Sequence, residues 1–178
     1  MVTPETATQL VTRPAREEDA AALREIYNEG VQDGLATFDT EAHSVEEQRR
    51  MIAAATEDPK HPILVAELRG WVLGWITIQP YDTRPEFADL GEVTVFVRRD
   101  FRNYGVGQQL MKKIQKEAHR LGYRKLIGHV LAENHESLRL CRAAGWREVG
   151  RHEQHARHPD GLRDVIVVEY LVPPAPRS

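Results

Sequence analysis

A chain of 178 residues falls within the ~100–200 usual for one domain and can bury roughly two-thirds of its unfolded surface, so one domain with a real core is expected. With 24 Lys and Arg against 27 Asp and Glu, the formal charge is −3, which leaves no basic field for nucleic acid or an anionic membrane. Small molecules are the expected partners. One cysteine, Cys141, excludes an intramolecular disulfide framework and a multi-cysteine zinc site, and it suits a reducing cytoplasm.

From the N-terminus, "MVTPETATQL" has no basic segment followed by an apolar one, and no window approaches the ~18 apolar residues of a membrane span. A cytoplasmic location is expected. Residues 1–9 and 173–178 are polar or proline-rich and read as flexible ends around a single domain, 10–172. A short strand is expected near "LVTRPA". In "REEDAAALREIYNEG", Ala20, Leu23, Ile26 and Tyr27 recur at helical spacing behind a first turn rich in acids, and this helix is read as ending near Gly30. Ser44 followed by Glu47 is the capping-box signature that opens a second helix.

The texture then turns β-rich. "PILVAEL" and "WVLGWITI", separated by "RG", read as an antiparallel hairpin, and the loop "YDTRPEFADLG" leads into a third strand, "EVTVFV". From Gly105 onward, Val106, Leu110, Ile114, Ala118 and Leu121 mark one face of an amphipathic helix. "KLIGHVL" reads as a strand, "NHESLRLCRAAG" as a helix closed by Gly145, and "WREVG" and "DVIVVEYLV" as the last two strands. This order predicts an α/β layer fold with helices on both faces of a central sheet.

The junction "RNYGVG" carries the chemistry. A P-loop would place Gly-Lys-Ser/Thr at the helix start, but Gly107 is followed by Gln108 and Gln109. A dinucleotide turn would want a small residue where Leu110 stands. The remaining pattern is Arg102, Gly105 and Gly107 between an apolar strand and a helix. Free amides at a helix N-terminus point at an anion there, and the helix dipole adds roughly 0.3–2 kcal/mol. An ordinary glycine turn is the competing reading of the same residues.

Together, "EIYNEGVQDGLATFDTE", "EVTVFVRRDFRNYGVG", "AENHESLRLCRAAGWREVG" and "GLRDVIVVE" resemble the GNAT acetyltransferases, closest to the phosphinothricin/arsinothricin N-acetyltransferase branch. The resemblance implies the GNAT fold, an α/β architecture whose central mixed, mostly antiparallel sheet is flanked by helices on both faces. It also implies acetyl-CoA as co-substrate and a homodimer. Carried over residue by residue, Val95, Phe96 and Val97 form the strand whose backbone meets the acetyl carbonyl and the pantetheine arm. Arg102, Asn103, Tyr104, Gly105, Val106, Gly107 and Gln108 wrap the pyrophosphate. Asn134 meets the pantetheine arm, and it also reads as a helix N-cap.

Acetyl transfer needs a neutral amine, so a base is required, and Glu92 matches the glutamate proposed as base in the branch. Cys141 stands four residues before Gly145, where many members carry a tyrosine acid; here it is read as a packing residue that faces CoA. The amine pocket falls among Phe38, Arg84 and Phe87, with a segment near Arg163. Asp82 departs from the arginine that close relatives carry. His152, His155 and His158 recur at every third position but suggest no fourth ligand, so no metal is expected. The implied activity is N-acetylation of a small amino-acid-like amine, such as phosphinothricin, arsinothricin or methionine sulfoximine. A peptide or lysine acetyltransferase and a silent CoA sensor are the alternatives.

Overall fold

The computed structural model describes residues 10–174; the expected loose ends, 1–9 and most of 173–178, lie outside the described residues. One seven-stranded sheet runs in the order β1-β2-β3-β4-β5-β7-β6. Its strands are β1 (Leu10–Pro14), β2 (Ile63–Leu68), β3 (Trp71–Pro80), β4 (Leu90–Val97), β5 (Lys125–Leu131), β6 (Arg147–His158) and β7 (Gly161–Leu171). The helices are α1 (Ala20–Asp33), α2 (Val45–Glu57), α3 (Val106–Arg120) and α4 (His135–Ala143). Every neighbouring pair of strands is antiparallel except β4–β5. Among the described residues no helix is long and apolar enough to cross a membrane.

Two apolar clusters fix the layers. Leu23, Ile26 and Tyr27 of α1 and Ile52 of α2 pack with Val65, Trp75 and Phe96 on one face of the sheet. Leu110, Met111 and Ile114 of α3 and Leu138 of α4 pack with Ile76, Ile78 and Leu126 on the other. The alternation of β3 explains the division, because successive side chains such as Trp75 and Ile76 leave a strand on opposite faces. The expected capping box closes the start of α2: Ser44 Oγ accepts from the Glu47 amide at 3.2 Å, and Glu47 Oε2 accepts from the Ser44 amide at 2.5 Å.

Two boundaries differ from the sequence reading. α1 passes through Gly30 and ends at Gly34, whose φ of 66° is left-handed. Gly30 instead serves packing, since a Cβ there would sit 3.1 Å from Ala36 Cβ and 3.4 Å from the Phe96 ring. β6 continues well past "WREVG" and takes in the histidines. β5 pairs with β7 only from Val165 to Leu171, so the first half of β7 finds its partner in the polar end of β6, with Ala156 opposite Arg163 and His158 opposite Gly161. That ribbon has no apolar face for a period-two pattern to reveal. The His152 and His155 rings stack 4.4 Å apart, and no cluster of three or more metal-type side chains occurs among the described residues. At the tip, Arg163 donates to the Gly34 carbonyl at 2.6 Å and pairs with Asp160 at 2.8 Å, tying the hairpin to the end of α1.

Leu110 is fully buried between α3 and β3. Leu110→Ala should therefore cost about 2–5 kcal/mol in urea unfolding, through lost transfer energy plus the cavity left behind. A loss below ~1 kcal/mol would show that this face of the sheet is loosely packed.

Candidate active site

The site begins where two strands part. β4 and β5 share only three register pairs, Leu90 with Lys125, Gly91 with Leu126 and Glu92 with Ile127, and then diverge. Past Glu92, β4 stays bound to β3 along one edge, while its other edge, from Val93 to Val97, has no strand partner. Two cavities open along this gap. The larger, about 830 Å³, is lined by Val95, Phe96, Val97 and the turn before α3. The smaller, about 60 Å³, lies at the head of the split among Phe38, Val93, His129 and Trp146. Leu35, Ala36, Val95, Asn134 and Ser137 line both, so the two form one passage.

The wide end gathers free backbone amides at a helix start. After β4, a single 3-10 turn (Arg99–Phe101) precedes a loop in which Asn103 (φ 63°) and Gly105 (φ 86°) are left-handed. Alternating left-handed positions turn successive amides to one side, and asparagine and glycine tolerate that conformation best. Gly105 caps α3 without a side-chain hydrogen bond, which leaves the amides of the first turn free for a ligand. Arg102, Asn103, Gly105, Gly107 and Gln108 line the cleft. Tyr104 and Val106 do not; Tyr104 is exposed, while Val106 is buried in the core beneath α3 and could contribute only backbone.

Two of the cations lining this end are already engaged. Arg102 pairs with one oxygen of Asp33 at 2.7 Å and Arg99 with the other at 2.7 Å. Burial pushes the Asp33 carboxyl up, but the two guanidiniums outweigh it and hold it below the ordinary range. With a depressed folded value, this clamp is present above the ordinary carboxylate range and is lost only as pH falls below it. Neither Asp33 nor its role as organiser of Arg99 and Arg102 was legible in the sequence.

At the narrow end, Asn134 caps α4, accepting from the Ser137 amide at 3.1 Å, and its amide nitrogen donates to the Leu35 carbonyl at 3.0 Å. That bond fastens the α1–α2 connection over the passage. The connection is further held by Tyr27, whose hydroxyl bonds Asp39 and lies 3.1 Å from Thr37 Oγ1, while its ring stacks on His43 at 4.0 Å. Burial and then the Asp39 charge push the Tyr27 phenol well above its usual range, so it stays a neutral donor. Phe38, on this connection, lines the narrow cavity.

Cys141 lines it too, and burial pushes its thiol up to about 11. Glu92 lines neither cavity; its Oε1 lies 2.7 Å from Nδ1 of His129, which does line the narrow one. His129 was missed from the sequence, where the only signal was a lone imidazole in the apolar run 126–131. Arg84 and Phe87 are not brought to either cavity. Arg84 closes on Asp82 through Nε at 2.9 Å and Nη2 at 2.7 Å, and it lies 4.5 Å over the Phe87 ring. That pairing holds Asp82 down to about 2.

Residues 21–146 match the acetyltransferase (GNAT) family. Over 151 residues the chain is 30% identical to the phosphinothricin N-acetyltransferase of Streptomyces coelicolor, spanning 84% of this chain and 88% of that protein. It superposes with a TM-score of 0.87 on a ribosomal-protein-alanine N-acetyltransferase from Brucella melitensis at 28% identity, covering 91% of this chain and 99% of that one. A phosphinothricin acetyltransferase from Sinorhizobium meliloti, in complex with acetyl-CoA, shares the fold with a TM-score of 0.86 at 24% identity, covering 92% and 89%.

Gly105→Val puts a β-branched side chain at φ 86°, a strain of about 1–3 kcal/mol that the turn can relieve only by moving its amides. Calorimetry with acetyl-CoA should show affinity weakened roughly tenfold or more, with secondary structure unchanged by circular dichroism. Unchanged affinity would remove the turn as the anion cradle.

Proposed function

The chain belongs to the acetyltransferase (GNAT) family and is an acetyl-CoA-dependent N-acetyltransferase; from that premise we propose that it acetylates, by direct transfer, the amine of a small amino-acid-like acceptor of the phosphinothricin, arsinothricin or methionine sulfoximine type. The single observation that carries this reading is the gap between β4 and β5, which joins an amide-lined anion cradle to a narrow apolar head.

In this reading the amides of residues 103–108, with Arg102 nearby, hold the pyrophosphate. The free edge of β4 from Val95 to Val97 holds the pantetheine arm, beneath Asn134. The bound co-substrate supplies the activated acetyl group, and the protein must do the rest. An amine arrives protonated, with a pKa from ~8 for an α-amino group to ~10.4 for a lysine-like one, so neutralising it at pH 7 costs roughly 1–5 kcal/mol. Glu92 supplies the negative charge behind that step, and it reaches the head of the passage through His129. A β4 amide facing the gap would stabilise the developing oxyanion, a contribution of ~3 kcal/mol for a well-placed donor. Cys141, with its thiol raised by burial, serves as packing; a departing thiolate needs no acid of that strength.

The small-acceptor class is supported by the name of the Streptomyces coelicolor protein. The name of the Brucella protein favours a second reading, acetylation of a protein N-terminal alanine.

Free-thiol release should separate them. Phosphinothricin or methionine sulfoximine should give kcat/KM at least about tenfold above that of an alanine-initiated peptide, a difference of ~1.4 kcal/mol in transition-state binding. Preference for the peptide would overturn the small-acceptor reading.

A further inference from the structure

Resting on the acyl-transfer reading, we propose that His129 is the catalytic residue that takes the acceptor's proton, and that Glu92 is a positioning residue acting through it. Glu92 lines neither cavity, whereas His129 lines the narrow one at the head of the split. The two meet at 2.7 Å between Oε1 and Nδ1. An ionised carboxylate can only accept, so in the neutral ring Nδ1 carries the hydrogen and the lone pair is left on Nε2. Nε2 has no hydrogen-bond partner among the described residues. A ring that lines the narrow cavity, with the carboxylate on one nitrogen and the other nitrogen unpartnered, has the arrangement a base requires.

The fold provides this placement. Ile127 makes the last rung with Glu92, and His129 lies two residues on, on the same side of β5, where β4 has already turned away. Across the strand on β7 its neighbour is the uncharged Val167. Glu133, just after β5, lines the wide cavity, while two other acids nearby are spent elsewhere. Glu169 of β7 is paired with Lys125 and Arg147, and Asp39 of the α1–α2 connection is bonded by Tyr27. Cys141 of α4 is kept neutral by burial. Among the described residues, Glu92 is the one acid hydrogen-bonded to the ring.

The step balances. One ammonium N–H bond breaks, its electron pair stays on nitrogen, and the proton bonds to Nε2, leaving an imidazolium against the Glu92 carboxylate. The freed pair forms the N–C bond while the C–S pair departs with sulfur. Nitrogen loses its second proton as the amide forms. Of the two protons released, one ends on the coenzyme thiol and one in solvent.

The first test uses the protein alone. Imidazole ¹⁵N NMR of the wild type should show the Nδ1–H tautomer for His129, and Glu92→Ala should lose that preference; an Nε2–H tautomer in the wild type would overturn the proposal. In steady-state kinetics, His129→Ala should lower kcat by ~10²–10³-fold with KM for acetyl-CoA unchanged, and added imidazole should restore part of the rate. Glu92→Gln keeps an oxygen that can accept from Nδ1, so its loss should be smaller, about tenfold. A larger deficit in Glu92→Gln than in His129→Ala, or wild-type kcat in His129→Ala, would leave acetyl transfer intact and remove His129 as base. No acceptor-dependent turnover by the wild type would remove both readings together.

Discussion

Three rungs of hydrogen bonding join β4 to β5, and everything that follows depends on their ending at Glu92 and Ile127. The pair is the one parallel joint in an otherwise antiparallel sheet. Once the strands diverge, the edge of β4 is left with backbone groups that no neighbouring strand satisfies. In a buried sheet interior that would cost free energy at every unpaired amide. Here the gap opens onto a passage, and an extended ligand can take the place of the missing strand. The two apolar clusters, one on each face, make this possible by holding β4 rigid through β3 while β5 is held through β7.

The electrostatics follow the same logic of partners kept ready. Arg99 and Arg102 reach the cleft already oriented by Asp33, and the Asn103 side chain donates to Glu136 at 3.3 Å. Two long cationic side chains are thereby ordered before any ligand arrives, which reduces the entropy lost on binding. The same carboxylates lower the net positive potential of the cradle. In the proposed reading, a pyrophosphate here would be held mainly by the backbone amides and the α3 dipole, with the arginines refining the fit.

Closure of the narrow end is a tertiary achievement. Asn134 holds the Leu35 carbonyl, Tyr27 holds Asp39 and Thr37, and Arg163 at the tip of the β6–β7 hairpin holds the Gly34 carbonyl. Three distant parts of the chain thus converge on the connection that carries Phe38. The loop bearing Arg84 follows the opposite course, since Asp82 two residues away satisfies its guanidinium locally and the stack on Phe87 keeps it outside the passage.

Much of the fold was legible because its signals are local. The helical spacing of Leu110, Ile114 and Ala118, the Ser44–Glu47 capping box, the β-branched runs of the central strands and the Gly105 turn all act within a few residues. What stayed hidden lies in contacts distant in sequence. The polar half of β6 is a strand only because β7 outruns β5, and Gly30 is small because Phe96 comes to rest beside it. His129 and Glu92 are 37 residues apart and meet only across the three-rung joint, and Asp33 meets Arg99 and Arg102 across 66 residues or more. By itself the sequence determined most of the helices and strands and the glycine turn before α3, because backbone sterics and periodicity are properties of neighbours along the chain. The tertiary structure alone decided which polar side chains share a cavity, because that depends on strand order and on where one parallel pair stops pairing.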